Sequence, residues 1–287
     1  MKKGSAYLNV WMEVIRYLNE AVVYCGKPDA ASAVDKAVAY YAGSRTAAEN
    51  SEGVLLYALA EIRAHQMKTG GHLEDKDVGD AFVNVDIFRQ LNSMKENLIK
   101  NDPTLCDQVE ASKNHIVTMM KVPMVQSIIR YAYIQNKEPP AKIEDVDKMV
   151  AEGATFAATM LPFIHVCESR AAEIIYEHMK LGVTAKFDEV KKILESTYTC
   201  LNITCEHVGG VWDQNDKSYK ALPCGVSVGR STFANFSMFI GISAAFVLAA
   251  YLFLKNRSKF TFLSKKRNKA MPPMYNTGNI AAVTEIA

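Results

Sequence analysis

The sequence predicts an all-α protein: an antiparallel helical bundle, as one bundle or as two packed halves, followed by one C-terminal transmembrane helix. Three observations carry that reading. Apolar residues recur at spacings of three and four through residues 6–198, the period of a helix with one buried face. No stretch alternates apolar and polar residues as a half-buried strand would. Residues 233–254, FANFSMFIGISAAFVLAAYLFL, run for 22 residues without a charge. At about 1.5 Å per residue that length spans a bilayer.

In chain order, residues 6–24 read as a first amphipathic helix, with Leu8, Trp11, Val14, Ile15 and Leu18 on its apolar face. Pro28 interrupts the chain and 31–42 resume helix up to Gly43. A polar loop leads to a helix over 53–68, stopped by Gly70 and Gly71. Residues 78–100 follow, with Phe82, Val85, Ile87, Phe88, Leu91, Met94, Leu98 and Ile99 expected inward. Asn101-Asp102-Pro103 separates that helix from one over 104–120, and Pro123 opens another that reaches Gln135. Further helices are expected over 143–161, from Pro162 to about Met179, and over 187–198. Residues 199–232 are rich in Gly and Cys and read as irregular. The domains expected are thus 1–198 as the helical outer domain, 199–232 as a juxtamembrane segment, 233–254 as the span and 255–287 as a basic tail.

The charge distribution orients the span. Lys255, Arg257, Lys259, Lys265, Lys266, Arg267 and Lys269 follow it with no acid among them, and basic flanks stay in the cytosol. The expected topology is single-pass type I at the plasma membrane, with the N-terminal part extracellular. Residues 1–232 hold 26 basic and 30 acidic residues, a formal −4, so the net +2 of the chain resides in the tail. That balance excludes nucleic acid as a partner. No secretory signal is legible in MKKGSAYLNVWMEVIRYLNE, where Glu13 and Arg16 break the apolar run. The expectation is a chain truncated at its N-terminus, or a span acting as signal-anchor.

All six cysteines precede residue 232, an even number on the oxidising side, which predicts disulfides. Of the fifteen connectivities, Cys205–Cys224 is favoured because it ties the irregular segment before the membrane. Asn202-Ile203-Thr204 is a glycosylation sequon in that compartment.

Catalytic templates are missing: there is no GxSxG, no HExxH and no phosphate loop, so no enzyme is expected. His165 and Glu168 stand three apart, a pairing used in helical metal sites, but one that also arises as an ordinary polar contact. Tyr57, Glu61 and His65 are four apart and share a face. They are oxygen and nitrogen donors suited to a hard or borderline cation, and equally to a half-exposed stripe. Gln126, Arg130 and Tyr133 form a second stripe, in which Arg130 meets an anion, either a ligand or a carboxylate such as Glu61 or Glu152. Glu152 is a lone carboxylate in MVAEGATFAATMLP and, if buried, must be paired, protonated or metal-bound. Thirteen tyrosines, among them Tyr40 and Tyr41, add phenols that a ferric ion can ionise.

At these residues the sequence resembles the algal iron-assimilation proteins and phytotransferrins. The matching pieces are VDKAVAYYAGS (34–44), LLYALAEIR (55–63), VPMVQSIIRYAY (122–133), AEGATFAATMLP (151–162), AEIIYEHM (172–179) and TCEHVGGVW (204–212). The resemblance implies capture of Fe(III) at the cell surface with a synergistic carbonate, then endocytic uptake into endosomes. By position, Tyr41, Tyr57, Glu61 and Glu152 become candidate iron ligands, and Arg63 and Arg130 candidate anion or supporting groups. Family members often carry a cysteine pair just after the LYALA motif, where this chain has Ala64 and Gly70. Acid in a vesicle would protonate the carbonate and loosen the iron. In the tail, Pro272-Pro273-Met274-Tyr275 matches a PPxY segment that docks on WW-domain proteins, or is simply disordered tail. The rival readings are a non-catalytic adhesion or interaction ectodomain and an imelysin-like metallopeptidase using His165 and Glu168.

Overall fold

The computed structural model describes residues 4–43, 55–71 and 81–224. These are mostly helical, with almost no strand. Nine α-helices occur among the described residues: α1 (Trp11–Val23), α2 (Ala30–Ala42), α3 (Leu56–Met67), α4 (Phe82–Ile99), α5 (Cys106–Lys137), α6 (Ile143–Cys167), α7 (Ser169–Met179), α8 (Phe187–Leu201) and α9 (Cys205–Val208). A two-stranded antiparallel hairpin, β1 (Val211–Asp213) and β2 (Ser218–Ala221), closes the described chain. The expected span 233–254, the basic tail and the segment 272–275 lie outside the described residues.

The expected faces hold where the helix period is regular. Trp11, Val14, Leu18 and Ala21 line the buried face of α1. Leu8 was expected there too, but it is 41% exposed. A π-helical turn, Ser5–Val10, precedes α1 and rotates the chain, so Ala6 and Tyr7 turn inward instead. On α4 the expected apolar set is too wide for one face. Ile87, Leu91, Met94 and Leu98 are buried, whereas Phe82 and Ile99 are 57% and 60% exposed.

The centre of the molecule is α5, 32 residues long. A helix boundary was expected at Pro123, yet α5 runs straight through it. Residues Val122 to Ile129 are all buried, so tertiary packing on every side holds the helix where proline removes one N–H. The carbonyl of Pro123 accepts a hydrogen bond from Ser127 Oγ at 2.6 Å. Likewise α6 continues past the expected stop and contains Pro162. Around α5 pack α1, α3, α4, α6, α8 and α9. One core cluster extends from Ala6 to Val211, so the described helices form one body and not two halves with separate cores. Gly153 of α6 allows the close approach to α5: a Cβ there would lie 3.1 Å from Tyr131 Cβ and 2.9 Å from Gln135 Nε2.

The region expected to be irregular, 199–232, is ordered as far as it is described. Thr204 caps α9 through its side chain, accepting from the His207 N–H. The strands that follow are three and four residues long, too short for an alternation to show in the sequence. Leu201, Ile203, Val208 and Val211 all join the core. Gly209 has φ +69°, and a Cβ there would lie 2.1 Å from the Met67 carbonyl oxygen. Only glycine lets the chain come this close, and the next amide, Gly210 N–H, donates to that carbonyl at 3.2 Å.

All six cysteines are paired: Cys25–Cys106, Cys167–Cys200 and Cys205–Cys224. The first two tie the α1–α2 link to the start of α5, and the end of α6 to α8. By length and composition α6 is also apolar enough to cross a membrane. Here Phe156, Ala157, Met160 and Ile164 place one face of it in the core.

Candidate functional site

The candidate residues resolve into two groups on opposite sides of one helix. On α3, Tyr57, Glu61 and His65 recur every four residues and share a face, as expected. Arg63 lies two residues from Glu61, about 200° around the helix, and looks the other way.

On the Glu61 side three helices meet. Tyr41, at the end of α2, is 1% exposed. Its hydroxyl donates to Asn84 Oδ1 on α4 at 2.5 Å. The Asn84 amide donates in turn to Glu61 Oε1 at 2.5 Å and to the Tyr57 carbonyl at 3.1 Å. The second carboxylate oxygen, Glu61 Oε2, accepts from the Ala81 N–H at 3.2 Å. The Tyr41, Tyr57 and Phe88 rings pack edge to face at 5.8 to 6.3 Å. Burial pushes the Tyr41 phenol well above its ordinary pKa, and the nearby Glu61 and Tyr57 push it the same way. This is a phenol and a carboxylate, both oxygen donors, aligned by one amide. Asn84 was absent from the sequence reading. The signal was present: Asn84 shares the α4 face of Ile87, Leu91 and Leu98, a polar residue at an inward position.

On the Arg63 side the group is cationic and aromatic. Arg63 is 4% exposed. Its Nε donates to Ser127 Oγ on α5 at 2.7 Å and its Nη1 to Gln66 Oε1 at 2.6 Å. The guanidinium lies 5.2 Å from the Tyr131 ring and 5.6 Å from that of Phe156. Tyr131 donates its hydroxyl to Glu152 Oε2 on α6. Tyr7 completes the group, its ring 5.0 Å from Phe156. Burial raises the Tyr7 phenol to about 12, against the lowering influence of Arg63. The tyrosine that engages Glu152 is therefore Tyr131, and Glu152 belongs to this group and not to that of Tyr41 and Glu61.

Arg130 makes no ion pair with Glu61 or Glu152, and among the described residues it has no ion pair at all. Its Nε is buried without a hydrogen-bond partner. On the same stripe, Gln126 supports the fold: its amide donates to Thr69 Oγ1 at 3.0 Å, to the Val208 carbonyl at 3.0 Å and to the His207 carbonyl at 3.3 Å. Tyr133 donates to Glu138 at 3.0 Å. The VPMVQ and TCEHVGGVW segments thus meet in space, with Thr69, just beyond α3, joining them.

His165 and Glu168 do not share a helical turn. Glu168 is the C-cap of α6 at φ −158°, and both side chains are exposed. Asn202 is exposed, in the left-handed conformation at the end of α8. Among the described residues no group of three or more His, Cys, Asp or Glu side chains is arranged to hold a metal ion. A metal at the Tyr41 group would therefore rely on phenol and amide oxygens beside one carboxylate. No protein-family model matches the chain. No curated protein and no solved structure matches it either.

Proposed function

We propose that the protein is a phytotransferrin-like ferric iron binder and not an enzyme: a helical, antiparallel outer domain on a type I membrane anchor that captures Fe(III) with carbonate for endocytic uptake. One observation carries the reading, the buried Tyr41–Asn84–Glu61 chain of hydrogen bonds beside Tyr57. Phenolate and carboxylate are the hard oxygen donors a trivalent cation prefers. The Tyr41 proton is held by burial and by the hydrogen bond to Asn84. Fe(III) bound by Tyr41 would displace that proton into solvent, and the Asn84 amide oxygen, no longer accepting from the phenol, would be available as a further donor. Binding thus releases protons and is opposed by acid, which supplies a route to release in an acidified vesicle. Carbonate, as the accompanying anion, would supply further oxygens to the metal. The three disulfides fit an oxidising exterior, and the exposed Asn202 fits a glycan there. The PPMY segment at 272–275 would serve internalisation through a WW-domain protein.

The test is titration of Fe(III) onto the full-length chain, with and without bicarbonate, at neutral and mildly acidic pH. A visible phenolate-to-iron charge-transfer band that needs bicarbonate and fades in acid is expected. Stoichiometric binding without any such band would remove tyrosine from the ligand set, and no binding would leave a non-catalytic interaction domain as the better description.

A further inference from the structure

A cavity of about 210 Å³ opens between the end of α5 and the C-terminal hairpin. Gln66 from α3, Arg130 and Tyr133 from α5, Glu138 just beyond it, and Trp212 and Lys220 from the hairpin line it. None of Tyr41, Tyr57, Glu61 and Glu152 does. The hairpin wall is fastened in place. Gln214 Nε2 donates to the His65 carbonyl at 2.6 Å, Lys68 Nζ sits 3.8 Å from the Trp212 ring, and Cys205–Cys224 staples the segment.

The charges in this cavity are unevenly satisfied. Lys220 already holds two carboxylates, Asp216 at 2.6 Å and Asp213 at 3.3 Å. Glu138 accepts from Tyr133. Among the described residues Arg130 has no ion pair, and its Nε, closed off from solvent, has no hydrogen-bond partner. A buried guanidinium N–H without an acceptor gives up its hydration with no hydrogen bond in return. Burial first, then the neighbouring Arg63 charge, lower the Arg130 pKa, and the opposing pull of Glu138 does not offset them. Gln66 has its oxygen engaged by Arg63, which leaves its amide N–H groups to offer.

We propose that this cavity is a binding site for a small organic monocarboxylate, whose carboxylate pairs with the Arg130 guanidinium while its body rests between Trp212 and Tyr133. A planar carboxylate matches the guanidinium fork. The cavity holds roughly seven waters at about 30 Å³ each, more than an inorganic anion fills and less than a drug-sized pocket. Glu138 and Asp213 in the lining repel polyanions, which favours a single negative charge. The site is independent of iron, and its test contains none.

The chain has two tryptophans, Trp11 buried in the core and Trp212 in the cavity wall, so their indole N–H signals in NMR give a probe and an internal control. The full-length chain is titrated with acetate, lactate, benzoate, the neutral isostere benzamide, and bicarbonate. Saturable movement of the Trp212 signal by at least one of the three organic carboxylates is expected, with Trp11 still and benzamide at least about tenfold weaker. Arg130→Gln should abolish the response, and Arg130→Lys should retain part of it. Because Arg130 has no ion pair to lose among the described residues, Arg130→Gln should melt no lower than the parent protein, and ligand should raise the melting temperature of the parent alone. The proposal is overturned if no organic carboxylate moves Trp212, if benzamide matches benzoate, or if Arg130→Gln still binds. Should Arg130→Gln unfold the chain, an Arg130→Lys response equal to the parent's would overturn it. A response to bicarbonate alone would also overturn it and return Arg130 to the inorganic anion of the iron reading.

Discussion

The two sides of α3 bury polar groups by opposite means. Toward α2 and α4, Glu61 accepts from Asn84 and from the Ala81 N–H, and a buried phenol completes the line. Toward α5 and α6, a buried guanidinium lies over Tyr131 and Phe156 near a carboxylate bound to Tyr131. The first group gathers oxygen donors around one carboxylate. The second already contains its cation and reads as a structural tie among α3, α5 and α6. The difference teaches that residue type alone, a tyrosine with a glutamate, does not mark a metal site. Tyr131 and Glu152 lie beside a guanidinium that the protein itself supplies.

Four measurements break or sharpen that contrast. The largest effect is expected for Arg63→Met, which removes two charge-assisted hydrogen bonds and the cation near Tyr131 and Glu152. Urea unfolding should show a loss of about 3–5 kcal/mol. A loss below about 1 kcal/mol would deny the tie.

Next comes iron affinity. Tyr41→Phe and Glu61→Gln should each weaken Fe(III) binding by on the order of 100-fold, whereas Tyr131→Phe should leave it within about twofold. Equal losses in all three would merge the two groups into one site.

The third is alkaline. The folded-state pKa of Tyr7 lies at about 12, above its unfolded value of 10.0. Its neutral form is therefore favoured in the fold, and that stabilisation is complete below pH 10 and lost as pH rises toward about 12. About 2–3 kcal/mol should disappear over that window, and Tyr7→Phe should flatten the slope in denaturant titrations at stepped pH. Tyr41 shifts in the same direction and leaves a residual slope in that variant.

The smallest is Gln126→Leu, which deprives the Thr69 hydroxyl and the His207 and Val208 carbonyls of a donor. A cost of about 1–2 kcal/mol is expected, with the Trp212 signal broadened as the hairpin loosens. A sharp, unmoved Trp212 signal would show that Gly210 and Cys205–Cys224 hold the hairpin without it.

Helix identity was legible because burial on one face imposes a period that survives in the sequence, as in Trp11, Val14, Leu18 and Ala21. Prolines misled for a definite reason. Pro123 and Pro162 lose one hydrogen bond each, a local penalty that reads as a boundary, yet neighbouring helices hold α5 and α6 together across them. Leu8 misled because a single π turn shifts phase without leaving a residue signature. Half of the candidate chemistry was legible as well, since Tyr57 and Glu61 announce a shared face by their spacing. Asn84 and Ser127 were not, because an amide or a hydroxyl acquires its role only from a partner on another helix.

Taken alone, the sequence determined the helical class, the inward faces of most helices and the two faces of α3, because these follow from the fixed angle between successive residues. It also determined an even set of cysteines suited to bridges. Only the tertiary structure decided that Glu152 sits with Tyr131 and not with Tyr41, that Cys25 meets Cys106 across 81 residues, and that Arg130 lines a cavity with its Nε left without an acceptor. Each of those depends on distances between helices far apart in the chain, and such distances are fixed by how whole faces pack and not by any residue's neighbours in sequence.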